Sequence, residues 1–271
     1  MRKTLLVVLT TFALVLGFVG VAGAASPTKA YKVTIKTSTT ASEAGKFITV
    51  SGKVSGPKSA GKTVKIQRQY AGGAWVTVAT AKASKKGKYS ARVETPRGGT
   101  TSFRAVKAKS SVRKAGVSPT AALPVYEWLY LASQGASIQG DVLEGNEMLI
   151  NGTLFKRSIA FYDGDAQLTY KLAGLCTKFT SRVGYRFSGD LGTPDGLNAV
   201  VTRLQLSGPA VAPTSTPVAT GQAVTLNSTL TNTRFLQLEL DSVETDYVAA
   251  LGDPKVYCNA SYLPSFGVGD F

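Results

Sequence analysis

Apolar and polar side chains alternate with period two along much of the first 110 residues. Tyr31, Val33 and Ile35 alternate with Lys32, Thr34 and Lys36; Ile48, Val50 and Val54 with Thr49, Ser51 and Lys53; Tyr89, Ala91 and Val93 with Ser90 and Arg92. Such a period, rich in β-branched residues, turns one face of each strand to a core and the other to water. Further runs at 63–70, 75–83 and 100–108 are separated by Gly, Ser and Lys at turn-like intervals. About six or seven short strands in under a hundred residues is the count expected of an immunoglobulin-like β-sandwich.

The β signal continues beyond residue 125, at 148–150, 166–172, 179–187, 199–206, 223–226, 235–240 and 255–259. Asn151-Gly152, Asp163-Gly164, Asp195-Gly196 and Ser207-Gly208 stand between these runs as turn dipeptides. Few windows hold a helical period, although 128–133 and 243–251 each have room for a helical turn. The pattern predicts an all-β chain whose second half is an antiparallel jelly-roll sandwich.

Charge divides the chain where the pattern does not. Residues 25–124 carry 20 basic and 2 acidic side chains, a net of +18, whereas residues 125–271 carry 9 basic and 14 acidic ones, a net of −5. A composition break of this size marks a domain boundary. The stretch 115–124, with two prolines and few large side chains, is the expected linker between a basic domain at 25–114 and a second domain at 125–271. Lysines in turns and on outward-facing strand positions, among them Lys58, Lys62, Lys85, Lys86 and Lys88, create a field that attracts an anionic envelope polymer. The same lysines also serve as a solubilising, edge-protecting surface. Nucleic acid fits less well, because the aromatic residues of this half fall on core-facing phases and do not interleave with the cations as a stacking platform requires.

The first 24 residues have the layout of a secretory signal peptide: Arg2 and Lys3, a largely apolar run from Leu5 to Val21, then Ala22-Gly23-Ala24. Cleavage after Ala24 is expected. The remainder has no apolar stretch near the ~20 residues that a membrane span requires, so the mature chain is expected outside the cell, or retained non-covalently at its envelope. Two cysteines in an oxidising compartment favour a bridge, and Cys176 with Cys258 would close a loop of 82 residue steps. Two buried free thiols are the alternative.

No histidine occurs in the 271 residues. That removes Ser-His-Asp and Cys-His machinery and every His-ligated metal site. Carboxylate chemistry survives, but the best acidic pair, Glu239 and Asp241, lies two apart on one expected strand. Their Cα atoms would be about 6.7 Å apart on the same face. Side-by-side carboxylates do not flank a bond from opposite sides, and alternation with Leu238 and Leu240 explains them as a solvated face. No catalytic residue is assigned, and the chain is expected not to be an enzyme.

Two family resemblances sharpen this picture. Val50-Ser51-Gly52-Lys53-Val54-Ser55-Gly56, Val64-Lys65-Ile66-Gln67-Arg68, Trp75 and Gly87-Lys88-Tyr89 resemble the bacterial Ig-like repeats of exported actinobacterial proteins, over about residues 31–110. Ile150-Asn151-Gly152-Thr153-Leu154-Phe155, Leu168-Thr169-Tyr170-Lys171-Leu172-Ala173-Gly174 and Phe179-Thr180-Ser181-Arg182-Val183-Gly184 resemble the NPCBM family of galactose-binding-like modules. Trp128-Leu129-Tyr130-Leu131 and the segment 235–241 fit the same scheme. The chain departs from it in lacking a histidine beside Tyr162 and in having Ser207-Gly208 where the family has Asp-Gly. The resemblance implies a sandwich that holds carbohydrate.

A sugar site needs a flat apolar face for the C–H side of the ring and planar polar groups for its hydroxyls. Tyr162, Asp163 and Asp165 supply that combination on one expected loop, with Tyr185, Arg186 and Asp195 as a second cluster. Each also has an ordinary reading, as a rim aromatic or a turn former. Asp163-x-Asp165 invites calcium, but the later ligands of a recognised calcium loop are missing; otherwise no cofactor is expected. The expected partner is polysaccharide or cell-wall glycan, and the rival is a structural or protein-binding envelope component without a sugar site.

Overall fold

A computed structural model describes residues 29–162, 164–186, 196–219, 221–242, 248–267 and 270. The described chain is all-β. Its one helical element is a single 3-10 turn, Leu131–Ser133, inside the window 128–133. The first nine strands are β1 (Lys32–Val33), β2 (Lys36–Thr37), β3 (Ser42–Glu43), β4 (Lys46–Ser55), β5 (Thr63–Tyr70), β6 (Val76–Lys82), β7 (Lys88–Thr95), β8 (Gly99–Lys107) and β9 (Gly116–Val117). There follow β10 (Ala121–Tyr130), β11 (Ser137–Gln139), β12 (Val142–Ile150), β13 (Thr153–Phe161), β14 (Gln167–Lys171) and β15 (Cys176–Tyr185). The last five are β16 (Leu197–Gln205), β17 (Thr214–Val218), β18 (Val224–Thr229), β19 (Thr233–Ser242) and β20 (Ala249–Cys258).

In the N-terminal sandwich one sheet has β4 between β7 on one side and β1 and β2 on the other. The facing sheet runs β10-β8-β5-β6, with β9 added to β8. Tyr31, Val33, Ile48, Val50, Val54, Val64, Ile66, Tyr89, Val93 and Phe103 fill the space between them, so the alternating positions read from the sequence are the buried ones. Each such aliphatic or aromatic side chain contributes about 1.5 to 3 kcal/mol by leaving water.

The C-terminal sandwich pairs the sheet β11-β14-β19-β16-β17 with one in which β20 is flanked by β13 and β15. β12 extends the second sheet beyond β13, and β18 extends it beyond β15. The larger core lies between these sheets and includes the fully buried Phe161, Leu168, Tyr170, Phe179 and Leu236. Asn151 and Gly152 have φ of 45° and 73° and join β12 to β13 where Ile150 opposes Thr153. Positive φ at both central residues is what a tight two-residue hairpin requires, which explains the Asn-Gly dipeptide.

The two sandwiches share a strand. Residues 121–125 of β10 pair with β8 of the first sandwich, and residues 127–130 pair with β20 of the second. The expected linker, 115–124, is thus largely strand: Gly116–Val117 pairs with β8, and Ala121 to Pro124 stand opposite Phe103 to Thr100. The buried residues change hands between Val125, in the first core, and Leu129, in the second. Side chains close the seam. Glu127 accepts the Gly98 N–H at 2.9 Å, and Ser261 donates to the Gly98 carbonyl at 2.9 Å.

Candidate functional site

Of the loop residues expected at a sugar site, the structure brings two together. Arg186 donates to the Tyr162 hydroxyl at 3.4 Å at the end of the second sandwich. Tyr185 instead points into the larger core and is only 9% exposed, because β15 alternates and its neighbour takes the outward position. Asp165 is exposed in its turn, with no hydrogen bond or ion pair to the others among the described residues. Asp163 and Asp195 lie outside the described residues. No group of three or more Cys, Asp or Glu placed to hold a metal ion occurs among the described residues.

A more continuous surface lies on the outward face of the large sheet, beside the seam. Inward-facing Val125, Leu129 and Leu131 leave Tyr126, Trp128 and Tyr130 on the opposite face of the chain. Strand pairing then lines up side chains from four strands. Trp128 stands opposite Tyr257, Tyr257 opposite Lys178, and Lys178 opposite Thr229. One pleat further on, Tyr130 stands opposite Lys255, Lys255 opposite Thr180, and Thr180 opposite Asn227. With neighbouring strands about 4.8 Å apart, each row spans about 14 Å, and the rows are about 6.7 Å apart.

The rings are held by one another and by cations. Tyr257 stacks on Tyr126 at 5.3 Å between centroids and meets Trp128 at 5.1 Å. Lys255 sits over Trp128 at 5.2 Å, and Arg157 over Tyr130 at 4.2 Å. Such contacts restrict the rotamers of the rings without burying them; Trp128 remains 37% exposed. Burial, and then the neighbouring Glu43 and Tyr126, raise the pKa of the Tyr257 phenol, so it stays a neutral donor. Beside Trp128 a groove of about 420 Å³ is lined by Lys178, Thr180, Asn227, Ser228 and Thr229. Flat apolar rings thus adjoin an amide, hydroxyls and ammonium groups.

The disulfide ties the two central strands of this surface together, one register shift away from the Trp128 row. Cys176 and Cys258 are bonded and directly opposed on β15 and β20, next to Tyr257 and Lys178. The bridge makes the expected pairing an observed one.

The outward face of the smaller sheet is polar but lacks an open ring. Ser137, Gln139, Gln167, Thr169 and Gln237 line a groove of about 370 Å³ there. Its aromatic residue, Phe235, is 5% exposed and stacked on Phe266 at 6.0 Å. Asp270 closes one side of the groove, paired with Lys171 at 2.8 Å and Arg234 at 3.5 Å. Glu239 and Asp241 lie on this sheet, opposite Val200 and Asn198 of β16.

The aromatic strip was not assigned from the sequence, though part of its signal is there. Tyr126, Trp128 and Tyr130 recur at period two, out of phase with Val125 and Leu129. Tyr257, Lys178 and Asn227 join them only through strand pairing.

The fold and this surface define the class: an all-β protein of two fused sandwiches with an outward-facing, partly exposed aromatic strip at their junction. No known protein family matches the chain, and no curated protein matches it. Among solved structures, the crystal structure of tripeptidyl peptidase 2 aligns at 12% identity and a TM-score of 0.27, over 84% of this chain and 20% of that one. The chain therefore spans a fifth of that protein's length. The N-terminal CBM22-1–CBM22-2 tandem domain of Paenibacillus barcinonensis Xyn10C aligns at 9% identity and a TM-score of 0.28, over 87% of this chain and 94% of that one.

Proposed function

We propose that this chain is an exported, non-catalytic binding protein that holds polysaccharide at the cell envelope or on extracellular glycan. The N-terminal sandwich is read as Ig-like and the C-terminal one as a galactose-binding-like module of the NPCBM type, on the motifs quoted above. Export is supported by the layout of residues 1–24 and by the disulfide, which belongs to an oxidising compartment. No helix among the described residues is long and apolar enough to cross a membrane.

One observation carries the glycan reading: Tyr126, Trp128, Tyr130 and Tyr257 form a strip of outward-facing, partly exposed rings that runs into a groove bearing Asn227, Thr180 and Thr229. Sugar rings present C–H faces that stack on such rings, while their hydroxyls need the planar amide and hydroxyl groups beside them. Lysines 178 and 255 favour sugars that carry a carboxylate or other anionic substituent.

The test uses the two tryptophans. With Trp75 replaced by Phe, Trp128 alone reports, and saturable quenching or a blue shift by cell-wall polysaccharide, competed by free oligosaccharide, is expected. Trp128→Ala with Tyr257→Ala should abolish retention on insoluble polysaccharide. Retention unchanged in that double variant, or absent in the wild type across neutral and acidic glycans, overturns the reading in favour of a structural envelope component. Release of reducing sugar would overturn its non-catalytic part.

A further inference from the structure

The N-terminal sandwich carries a second surface, on a different sheet from the aromatic strip. We propose that the outer face of the sheet formed by β1, β2, β4 and β7 is a binding groove for a linear, phosphate-bearing polymer, with Lys36, Lys53 and Lys88 as its cations and Lys82 lining it from β6 of the facing sheet. The groove has a volume of about 670 Å³ and is also lined by Thr34, Ser51 and Ser90.

Its charge arrangement is costly to the free protein. Lys53 on β4 stands directly opposite Lys88 on β7. Like charges facing across an antiparallel pair destabilise it. In the next row Lys36, Ser51 and Ser90 lie side by side, and beyond them Thr49 faces Arg92. These rows contain no acid, and only two acidic residues, Glu43 and Glu94, occur in the whole of 25–124. Among the described residues, the ion pairs seen lie in the other sandwich, on Asp270.

The walls of the groove are firmly built. Thr34 pairs with the Lys53 backbone through both its main chain and its hydroxyl, and the buried Tyr89 donates its hydroxyl to the Thr34 carbonyl. Gly52 allows this approach, since a Cβ there would lie 1.9 Å from the Thr34 oxygen. The cations therefore project from a fixed frame.

Geometry selects the ligand class. Along β7 Lys88 and Ser90 stand about 6.7 Å apart, and across the strands Lys36 on β2 adjoins Ser51 on β4 at about 4.8 Å. A tetrahedral phosphate has oxygens on more than one side, so one group reaches a lysine on one strand and a serine on the next. The only aromatic lining residue, Tyr89, is 4% exposed, and the open ring of that face, Phe47, lies outside the groove with Arg92 over it, so the groove itself offers no ring for stacking a base. That points to a phosphate polymer without bases. A chain of anions spanning the rows replaces several counterions at once, so binding should fall steeply with salt.

The experiment uses the whole mature chain and long-chain inorganic polyphosphate, with poly-glutamate of matched charge as the carboxylate arm. Lys36→Gln/Lys53→Gln/Lys88→Gln is compared with Lys62→Gln/Lys65→Gln/Lys109→Gln, which removes the same charge elsewhere on the same domain. The groove variant should bind polyphosphate at least about tenfold more weakly, with a log–log salt slope reduced by about 2 to 3, while the control changes less than about threefold. The groove variant should unfold at or slightly above the wild-type temperature, because it removes the facing Lys53–Lys88 pair, and the control at the wild-type one; both should keep polysaccharide retention, which separates this site from the aromatic strip. Equal weakening in both variants would show net charge alone and overturn the groove. Poly-glutamate bound as tightly as polyphosphate would overturn the phosphate assignment.

Discussion

Asn259 holds Val125 across the seam between the two sandwiches: its Oδ1 accepts the Val125 backbone N–H at 3.3 Å, while its Nδ2 donates to the Thr100 hydroxyl at 3.1 Å. One side chain from the second sandwich thus satisfies groups on two strands of the first. With β10 shared, the two units are expected to unfold together.

Removing that amide should show in the cooperativity. Asn259→Ala is expected to lower stability by about 1 to 3 kcal/mol, because the Val125 N–H loses its partner. Gly98→Val should act more strongly, since even a Cβ there would lie 2.3 Å from the Ala260 carbonyl oxygen. Calorimetry should show one transition in the wild type and two in Gly98→Val. Two resolved transitions already in the wild type would refute coupling through the seam.

The disulfide is expected to matter for stability and for the aromatic strip alike. Cys176→Ala/Cys258→Ala should cost about 2 to 5 kcal/mol in urea unfolding, as expected for a bridge closing a long loop. It should also weaken polysaccharide retention, because Tyr257 and Lys178 flank the bridge. Stability unchanged on reduction would contradict this.

Alkaline pH should weaken the fold through a buried phenol of the first sandwich. Burial pushes the Tyr89 phenol from 10.0 up to about 12. A folded-state pKa above the unfolded one means that the contribution is complete below about pH 10 and is lost as the pH climbs through about 12. Denaturant midpoints followed over that window should fall more steeply in the wild type than in Tyr89→Phe. Parallel curves would remove Tyr89 from the account.

Acid should release the segment around Phe266. A hydrogen bond from Lys171, then one from the Gly267 N–H, hold the Asp270 carboxyl below the usual carboxylate range. A depressed folded-state pKa gives stability that is present above the unfolded value and lost as pH falls through the folded one. Protection factors at 263–267, taken against the slower intrinsic exchange in acid, should fall at low pH, and Asp270→Asn should show that lower protection already at neutral pH. Protection insensitive to both changes would exclude the Asp270 tether.

Several elements were legible residue by residue, and the failures have physical causes. The runs at 63–70, 75–83 and 100–108 are β5, β6 and β8 to within a residue or so. β13 was hidden because Ser158, Ile159, Ala160 and Phe161 are buried in succession. Ala160 faces a small third cluster with Met148, Ile150 and Ala250, so both faces of that strand are covered and the alternation vanishes. β17 was hidden by its threonines and by Pro217, which is tolerated because β17 is an edge strand. Of the predicted site, Tyr162 and Arg186 meet, yet Tyr185 is packed inside.

The amino-acid order alone determined the all-β class, the break in charge near residue 124 and the one partner each cysteine could have, because period, composition and count are local or global properties of a string. The tertiary structure alone decided that β10 belongs to both sandwiches, and that Trp128, Tyr257, Lys178 and Thr229 form one row. Period two says which face of its own strand a side chain occupies, but not which strand lies beside it. That neighbour is chosen by core packing and loop closure between residues as far apart as Trp128 and Tyr257.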